Sequence, residues 1–193
     1  MKKHLLLVCL LVLAIMPAWA QQAKYVFYFI GDGMGVNQVN GTEAYRAELE
    51  GRIGTTPLLF ASFPYGTMVT TYSGTNGVTD SAASGTALAT GIKTKNGVIG
   101  MQADQQTPVS SVAVKAKEAG MRVGIATSVS VDHATPASFY AHVPDRNNYY
   151  DIGKDLPRTG FDFYAGSDFL NPVNDKAKEE GTLYEQCEKA GYT

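Results

Sequence analysis

The sequence has few of the features that disulfide-stapled, nucleic-acid-binding or membrane-spanning proteins need. Two cysteines in 193 residues cannot build a disulfide framework. A net charge of −2 gives no basic surface, which argues against general nucleic-acid binding. After residue 20 there is no apolar run of about twenty residues, the length that a membrane-spanning helix needs. Hydrophobic residues make up 45% and charged residues 18%, which is typical of a folded domain and argues against disorder.

The N-terminus has the pattern of a secretory signal peptide. Two lysines precede an apolar run over residues 5–16, and Ala-Trp-Ala at residues 18–20 is a small-x-small cleavage site. The apolar run is too short to cross a bilayer. We therefore predict a cleaved signal peptide at residues 1–20. The remaining chain, residues 21–193, is expected in the periplasm or outside the cell, with no stable membrane anchor.

The rest of the chain alternates between strand-like and helix-like segments. We predict strands at residues 25–30, 65–72, 121–127 and 161–165, and helices at residues 79–90, 110–119 and 174–190, the last interrupted near Gly181. A further helix should begin at Thr-Pro-Ala, residues 135–137, with Thr135 as its N-cap. The helix–glycine–strand order at residues 110–127 is typical of a parallel sheet. The sequence thus predicts an α/β fold.

A glycine-rich loop follows the first predicted strand. Residues 31–35 are Gly-Asp-Gly-Met-Gly, and in open α/β sheets ligands bind beyond the carboxyl ends of the strands. The glycines allow a sharp turn and close approach of a ligand, and the Asp32 carboxylate suits a hard or borderline cation. An ordinary Asx turn explains the same residues, so this motif alone leaves both interpretations open.

A serine lies where the small-residue helix is predicted to begin. Residues 79–87 are Thr-Asp-Ser-Ala-Ala-Ser-Gly-Thr-Ala, and a helix N-terminus at Ser81 favours a developing alkoxide and an approaching anion. The alternative is an ordinary N-cap, since Asp and Ser are its commonest occupants. The sequence has no Gly-x-Ser-x-Gly elbow, so acyl transfer of the α/β-hydrolase type is not indicated.

Further candidate residues follow the third predicted strand. Asp132 and His133 are two potential metal ligands, and the hydroxyl of Thr135 lies beside them in the sequence. The Arg146 guanidinium can grip two phosphate oxygens at once, although a solvated surface arginine is the default interpretation. We interpret His142, seven residues into the predicted helix, as a structural histidine.

The three motifs are more specific together than each is alone. Residues 31–35, 79–87 and 133–146 have the order and spacing of the alkaline phosphatase family, and the sequence resembles the N-terminal part of that family over residues 24–193. The resemblance implies a three-layer fold with a mostly parallel central sheet flanked by helices. The chain ends in Ala-Gly-Tyr-Thr, as if cut where the next strand would start. We therefore expect a truncated chain whose C-terminal part is absent.

The resemblance implies which residues would react with the phosphate group and bind it. Ser81 would be the nucleophile and would form a phosphoserine. Arg146 would hold the phosphate oxygens, and Asp80 would orient the Arg146 guanidinium. The chain would then be a secreted metal-dependent phosphomonoesterase acting on phosphate monoesters, and a complete chain would form a homodimer.

The resemblance also implies metal ligands. Asp32 would contact both a catalytic zinc and the neighbouring magnesium, Ser81 would contact that zinc, and Thr135 would be a ligand at the magnesium site. His133 falls where some members carry Asp and others His, which leaves the identity of the third metal open. A complete site would hold two zinc ions and one magnesium. After Arg146 the sequence has no histidine, so we expect this portion alone to be inactive.

Two other functions fit part of the pattern. The chain could be a non-catalytic remnant that binds phosphate or metal without turnover. A sulfatase-like hydrolase is disfavoured, because those enzymes use Cys or Ser in a Cys/Ser-x-Pro-x-Arg context. Residues 81–84, Ser-Ala-Ala-Ser, have neither the proline nor the arginine.

Overall fold

The computed structural model of the chain describes residues 23–193, so the predicted signal peptide lies outside the described residues. The described residues divide into two units, residues 23–31 and residues 32–193. The elements of the second unit are, in order, α1 (Val36–Leu49), a 3₁₀ turn (Leu59–Ser62), α2 (Ser81–Thr90), α3 (Val112–Glu118), β1 (Gly124–Ser130), α4 (Ala134–Ala137), α5 (Tyr149–Asp155), a second 3₁₀ turn (Leu156–Arg158), β2 (Phe163–Ser167), α6 (Ala177–Glu180) and α7 (Leu183–Lys189).

A small parallel sheet lies within the second unit. β1 pairs with β2, with Ile125 opposite Tyr164 and Ala126 opposite Ala165. The connection passes through α4 and α5, as a parallel pair requires. The α/β prediction is therefore confirmed in part: helices and a two-stranded parallel sheet are present in the described residues. Both strands begin two or three residues later than the sequence predicted.

Two predicted strands are not formed. Within the described part of the chain, residues 25–30 and 65–72 have no regular secondary structure and belong to no sheet. Their apolar side chains stay largely exposed, at 88% for Phe29 and 97% for Met68. Strand propensity describes how well a segment fits a half-buried pleated surface, and neither segment is paired or packed on such a surface here. The prediction of these two strands is therefore wrong for this structure.

The cap residues explain why the predicted helices form where they do. Asp80 precedes α2 and accepts a hydrogen bond from the amide of Ala83, and Gly91 ends this helix with a φ of +78°. Ser111 caps α3 in the same way, through the amide of Val114. The predicted break at Gly181 separates α6 from α7.

The helix predicted after β1 is shorter than expected. It begins at Ala134 and not at Pro136, its cap residue is His133, and it covers only four residues. Thr135 is therefore inside the first turn, and the prediction of Thr135 as N-cap is wrong. His142 lies beyond the helix, where its Nδ1 is 2.6 Å from the carbonyl of Gly100 and its amide donates to Asp155. These contacts support the structural role predicted for His142.

The core lies around α2, the loop after it, α4 and α5. Its fully buried large side chains include Val98, Ile99, Ile152 and Leu183. Ile99 and Val143 exchange two backbone hydrogen bonds of 2.9 and 3.0 Å, which fix the chain on either side of the core. In the part of the chain that the structure describes, no helix is both long enough and apolar enough to cross a bilayer.

Candidate active site

Three predicted site residues meet at one carboxylate. The Ser81 hydroxyl lies 3.2 Å from Asp32 Oδ2 and 3.4 Å from Oδ1, and the Thr135 hydroxyl lies 2.9 Å from Oδ2. A carboxylate only accepts hydrogen bonds, so both hydroxyls donate to Asp32. The three residues come from separate parts of the sequence, and the structure brings them together.

Close packing of two helices explains why Ser81 and Thr135 are neighbours. Ser81 is the first residue of α2, and Thr135 lies in the first turn of α4. Gly85 of α2 is buried against α4, and a Cβ atom there would lie 2.6 Å from the Ser138 hydroxyl and 3.5 Å from the Cα of Thr135. The small residues of the Ala-Ala-Ser-Gly segment therefore set the spacing of the site.

Asp80 links Arg146 to the start of α2 and to Gly97. Its Oδ1 accepts from the amide of Ala83 at 2.9 Å. Its Oδ2 accepts from the amide of Gly97 and from Arg146 Nη1, both at 3.0 Å. The Arg146 amide in turn donates to the Gly97 carbonyl at 2.8 Å. The sequence analysis did not identify Gly97 as part of the site. Its only feature in the sequence is that it forms, with Asn96, an Asn-Gly pair typical of turns.

His133 lies beside the same arginine. Its Nε2 is 3.4 Å from Arg146 Nη2, while its Nδ1 is buried with no hydrogen-bond partner. The neighbouring Asp132 is fully buried and points elsewhere, since its Oδ2 accepts from the amide of Leu170 at 2.9 Å. Burial raises the pKa of Asp132 above its ordinary value. Of the two potential metal ligands in this segment, Asp132 and His133, it is His133 that lies near the site.

The donor set fits a metal centre in part. The Asp32 carboxylate and the two hydroxyls that point at it are oxygen ligands of the kind that magnesium takes. The buried, unpartnered imidazole nitrogen of His133 is a donor suited to zinc. Among the residues from 23 onwards, however, no group of three His, Cys, Asp or Glu side chains is close enough to hold an ion. The described residues therefore supply part of a metal shell.

Comparison with known proteins places the chain in a family. The family model of alkaline phosphatase matches residues 23–172. Mouse (Mus musculus) tissue-nonspecific alkaline phosphatase is 38% identical over 139 residues, which is 67% of this chain and 26% of that protein. The crystal structure of Thermus thermophilus alkaline phosphatase is 36% identical, with a TM-score of 0.70, and the match covers 86% of this chain and 34% of that chain.

A further solved structure describes a metal site in a relative. It is a variant of the alkaline phosphatase from the Antarctic bacterium TAB5, with a histidine replaced by aspartate and magnesium bound in its M3 site. It is 31% identical with a TM-score of 0.57, and the match covers 68% of this chain and 40% of that chain. This chain spans 26% of the length of the curated relatives that it matches. The family match, with the order and meeting of the motif residues, shows that the chain belongs to the alkaline phosphatase family.

Proposed function

We propose that this chain contributes the nucleophile and the phosphate-binding arginine of a metal-dependent phosphomonoesterase. The observation that carries the proposal is the meeting of Ser81, Asp32 and Thr135 next to the Asp80–Arg146 ion pair. A hydroxyl at a helix N-terminus, a carboxylate suited to cations and a guanidinium suited to phosphate are the groups that phosphoryl transfer needs. Phosphate monoesters are the proposed substrates.

Ser81 is proposed to act in two steps. Its Oγ attacks phosphorus, the bond between phosphorus and the ester oxygen breaks, the departing alkoxide takes a proton from water to become the alcohol, and the phosphoryl group remains on Ser81. Water then attacks the phosphoserine and releases inorganic phosphate and the free hydroxyl. The Ser81 proton points at the Asp32 carboxylate, so it leaves toward that side, and the N-terminus of α2 favours the negative charge that develops.

Arg146 is proposed to bind the phosphate oxygens that do not react. One of its terminal nitrogens is held by Asp80, which the amides of Ala83 and Gly97 fix in turn. This arrangement orients the planar guanidinium before substrate binds, and a pre-oriented fork can bind two phosphate oxygens at once.

The proposed metals are two zinc ions and one magnesium in a complete site. Asp32 and Ser81 would hold one ion, and Asp32 and Thr135 another. Bound metal would supply positive charge and lower the pKa of the attacking hydroxyl. The TAB5 variant holds magnesium in its M3 site after a histidine was exchanged for aspartate. We propose that His133 likewise determines which metal the third site takes.

A chimera of the length of the relatives tests this function. The chain would be joined to the C-terminal portion of the Thermus thermophilus relative, and transfer of labelled phosphate to the protein would be measured. We expect the label on Ser81, and its loss in Ser81→Ala. Ser84→Ala is the matched control, since Ser84 lies on the same helix with its hydroxyl bonded to the Asp80 carbonyl at 2.8 Å. Label on another residue, with Ser81 unlabelled, would refute the assignment.

A second candidate function is a non-catalytic module that binds phosphate or metal weakly. The ligand count favours it for the chain by itself, because zinc in catalytic sites takes three protein ligands and water. We therefore expect negligible hydrolysis of a chromogenic phosphate ester by the chain alone with added zinc and magnesium. Turnover comparable to that of a full-length relative, abolished by Ser81→Ala, would contradict this expectation.

Export and assembly complete the proposal. The pattern of residues 1–20 supports a chain that begins at Gln21 in the periplasm or outside the cell. N-terminal sequencing of the secreted product tests it, and a sequence beginning at Met1 would contradict it. For a chain completed to the length of its relatives we propose a homodimer.

A further inference from the structure

A glutamine side chain joins the two chain segments that meet at Arg146. Gln105 lies in the tight turn at residues 102–107. Its Oε1 accepts a hydrogen bond from Lys95 Nζ at 2.9 Å, and its Nε2 donates to the Pro144 carbonyl at 3.1 Å. An ammonium can only donate and a carbonyl oxygen can only accept, so the two partners fix which way the Gln105 amide points.

The backbone of Gln105 has an uncommon conformation. Its φ is +61°, and within residues 23–193 no other residue except glycine has a positive φ. Asp104 builds this turn, since its carboxylate accepts hydrogen bonds from the amides of Gln106 and Thr107 and from the Thr107 hydroxyl. A residue other than glycine keeps such a conformation where its surroundings fix it, and these positions cluster at functional sites. The conformation of Gln105 therefore suggests a role for its side chain.

Both partners of Gln105 lie next to the backbone contact of Arg146. The Arg146 amide donates to the Gly97 carbonyl at 2.8 Å, and Gly97 follows Lys95 by two residues. Pro144 precedes Arg146 by two residues. The Gln105 side chain thus forms a second link between these two segments, beside the backbone hydrogen bond that already joins them.

We propose that Gln105 is a positioning residue for Arg146 and thereby raises the affinity of the site for phosphate. This inference rests on the proposed function. Asp80 fixes the tip of the arginine, because Arg146 Nη1 lies 3.0 Å from its carboxylate. Gln105 fixes the other end, which is the backbone from which the arginine side chain extends. A guanidinium held at both ends loses less conformational freedom when phosphate binds, so less of the binding free energy is lost in ordering it.

Gln105→Asn removes this link while keeping a residue that suits the turn. Asn tolerates a positive φ better than Gln does, and its side chain is one methylene too short to reach both partners. An ordinary hydrogen bond changes an affinity by about two- to tenfold, and only part of the lost link is passed on to Arg146, so we expect phosphate binding to weaken by about two- to fivefold. Gln106→Asn is the matched control, because it makes the same chemical change at an exposed neighbour.

NMR of the Arg146 Nε–H group reports on the guanidinium independently of catalysis. The sequence has five arginines, and Arg146→Lys identifies the signal of interest. We expect Gln105→Asn to shift this signal and to speed rotation about the Nε–Cζ bond, and Gln106→Asn to do neither. A merely structural role of Gln105 would lower the urea midpoint and leave the Arg146 signal of the folded chain unchanged.

Titration of the full chain with inorganic phosphate completes the test. Weaker binding by Gln105→Asn and by Gln105→Gly, with unchanged binding by Gln106→Asn, would support the inference. The Gly variant excludes backbone strain as the cause, because glycine adopts a positive φ freely. An Arg146 signal that is the same in every Gln105 variant, an Arg146 signal that does not respond to phosphate, or equal phosphate affinity with and without the Gln105 side chain would each overturn it. The proposed function depends on phosphate transfer to Ser81 in the chimera, so each proposal can fail while the other stands.

Discussion

Residues 32–78 and residues 79–161 differ in how they bury their side chains. The first region buries only Ala47 and Ser73, and it leaves Tyr65 90% and Met68 97% exposed. The second region contains most of the core, including Ile99 and Ile152, which are fully buried. Both regions have helices, so helix content does not explain the difference. What separates them is whether an element has another element to pack against.

The candidate site draws on both regions. Ser81, Asp80 and Arg146 lie in the packed region, where Asp80 alone receives three hydrogen bonds. Asp32 lies in the exposed region and is held by the Ser81 and Thr135 hydroxyls. The proposed phosphate-binding residues are therefore held in place by the packed region. The proposed metal ligands depend on the Asp32 carboxylate, which lies in a region with few buried residues.

The contrast predicts very different costs for removing an apolar side chain. Ile99→Ala should lower the free energy of unfolding by about 2–5 kcal/mol, because it leaves a cavity in a packed core. Met68→Ala should change it by less than about 0.5 kcal/mol, since the Met68 side chain is already in solvent. Urea denaturation followed by circular dichroism measures both. Equal costs would show that residues 59–72 are packed in solution.

A second prediction concerns the spacing of α2 and α4. Gly85→Ala would place a methyl group 2.6 Å from the Ser138 hydroxyl, so Ser138 or the helix that carries it must shift, at a cost of about 1–3 kcal/mol. Gly77→Ala, in the exposed region, meets nothing within 4 Å and should be nearly neutral. Denaturation compares the two variants. A neutral Gly85→Ala would mean that the contact of Gly85 with Ser138 does not set the spacing of the helices.

The sequence predicted some parts of the candidate site and not others. The resemblance to the alkaline phosphatase family, carried by the order and spacing of three motifs, identified Asp32, Ser81, Thr135 and Arg146 as candidates, while each motif alone left an ordinary turn, cap or surface residue open. Strand pairing is not local: residues 25–30 have strong strand propensity, yet only a partner segment can make them a strand. The contact of His133 with Arg146 and the role of Gly97 likewise depend on packing between distant segments.

A third prediction separates the two functions of Asp80. Asp80→Ala removes the cap of α2 and the partner of Arg146, and should destabilise the chain by about 1–2 kcal/mol. Asp80→Asn keeps an oxygen acceptor for the Ala83 amide but loses the charge that attracts the guanidinium. We expect the Asn variant to retain most of the stability while His133 Nε2 shows an altered NMR signal. An unchanged signal would show that Asp80 does not orient Arg146.

The smallest expected effect lies at the border of the packed region. The Lys117 ammonium, 2.7 Å from Asp162, and the Val123 amide lower the pKa of the Asp162 carboxyl. A lowered folded-state pKa stabilises the fold above the ordinary Asp pKa of about 3.9, and this contribution is lost as the pH falls through the folded value. Lys117→Met should therefore raise the pKa of Asp162 toward its ordinary range and reduce stability slightly at neutral pH.

The difference between Lys117→Met and the unchanged chain should vanish at acid pH, where Asp162 is protonated in both. Urea unfolding at neutral and acid pH, with an NMR titration of the Asp162 carboxyl, measures the effect. The control is Lys178→Met, which breaks a pair with Asp175 whose side chains are 78% and 98% exposed. Pairs in solvent contribute little, so this variant should be neutral at every pH. A Lys117 variant that behaves in the same way would show that the link between α3 and the start of β2 does not persist in solution.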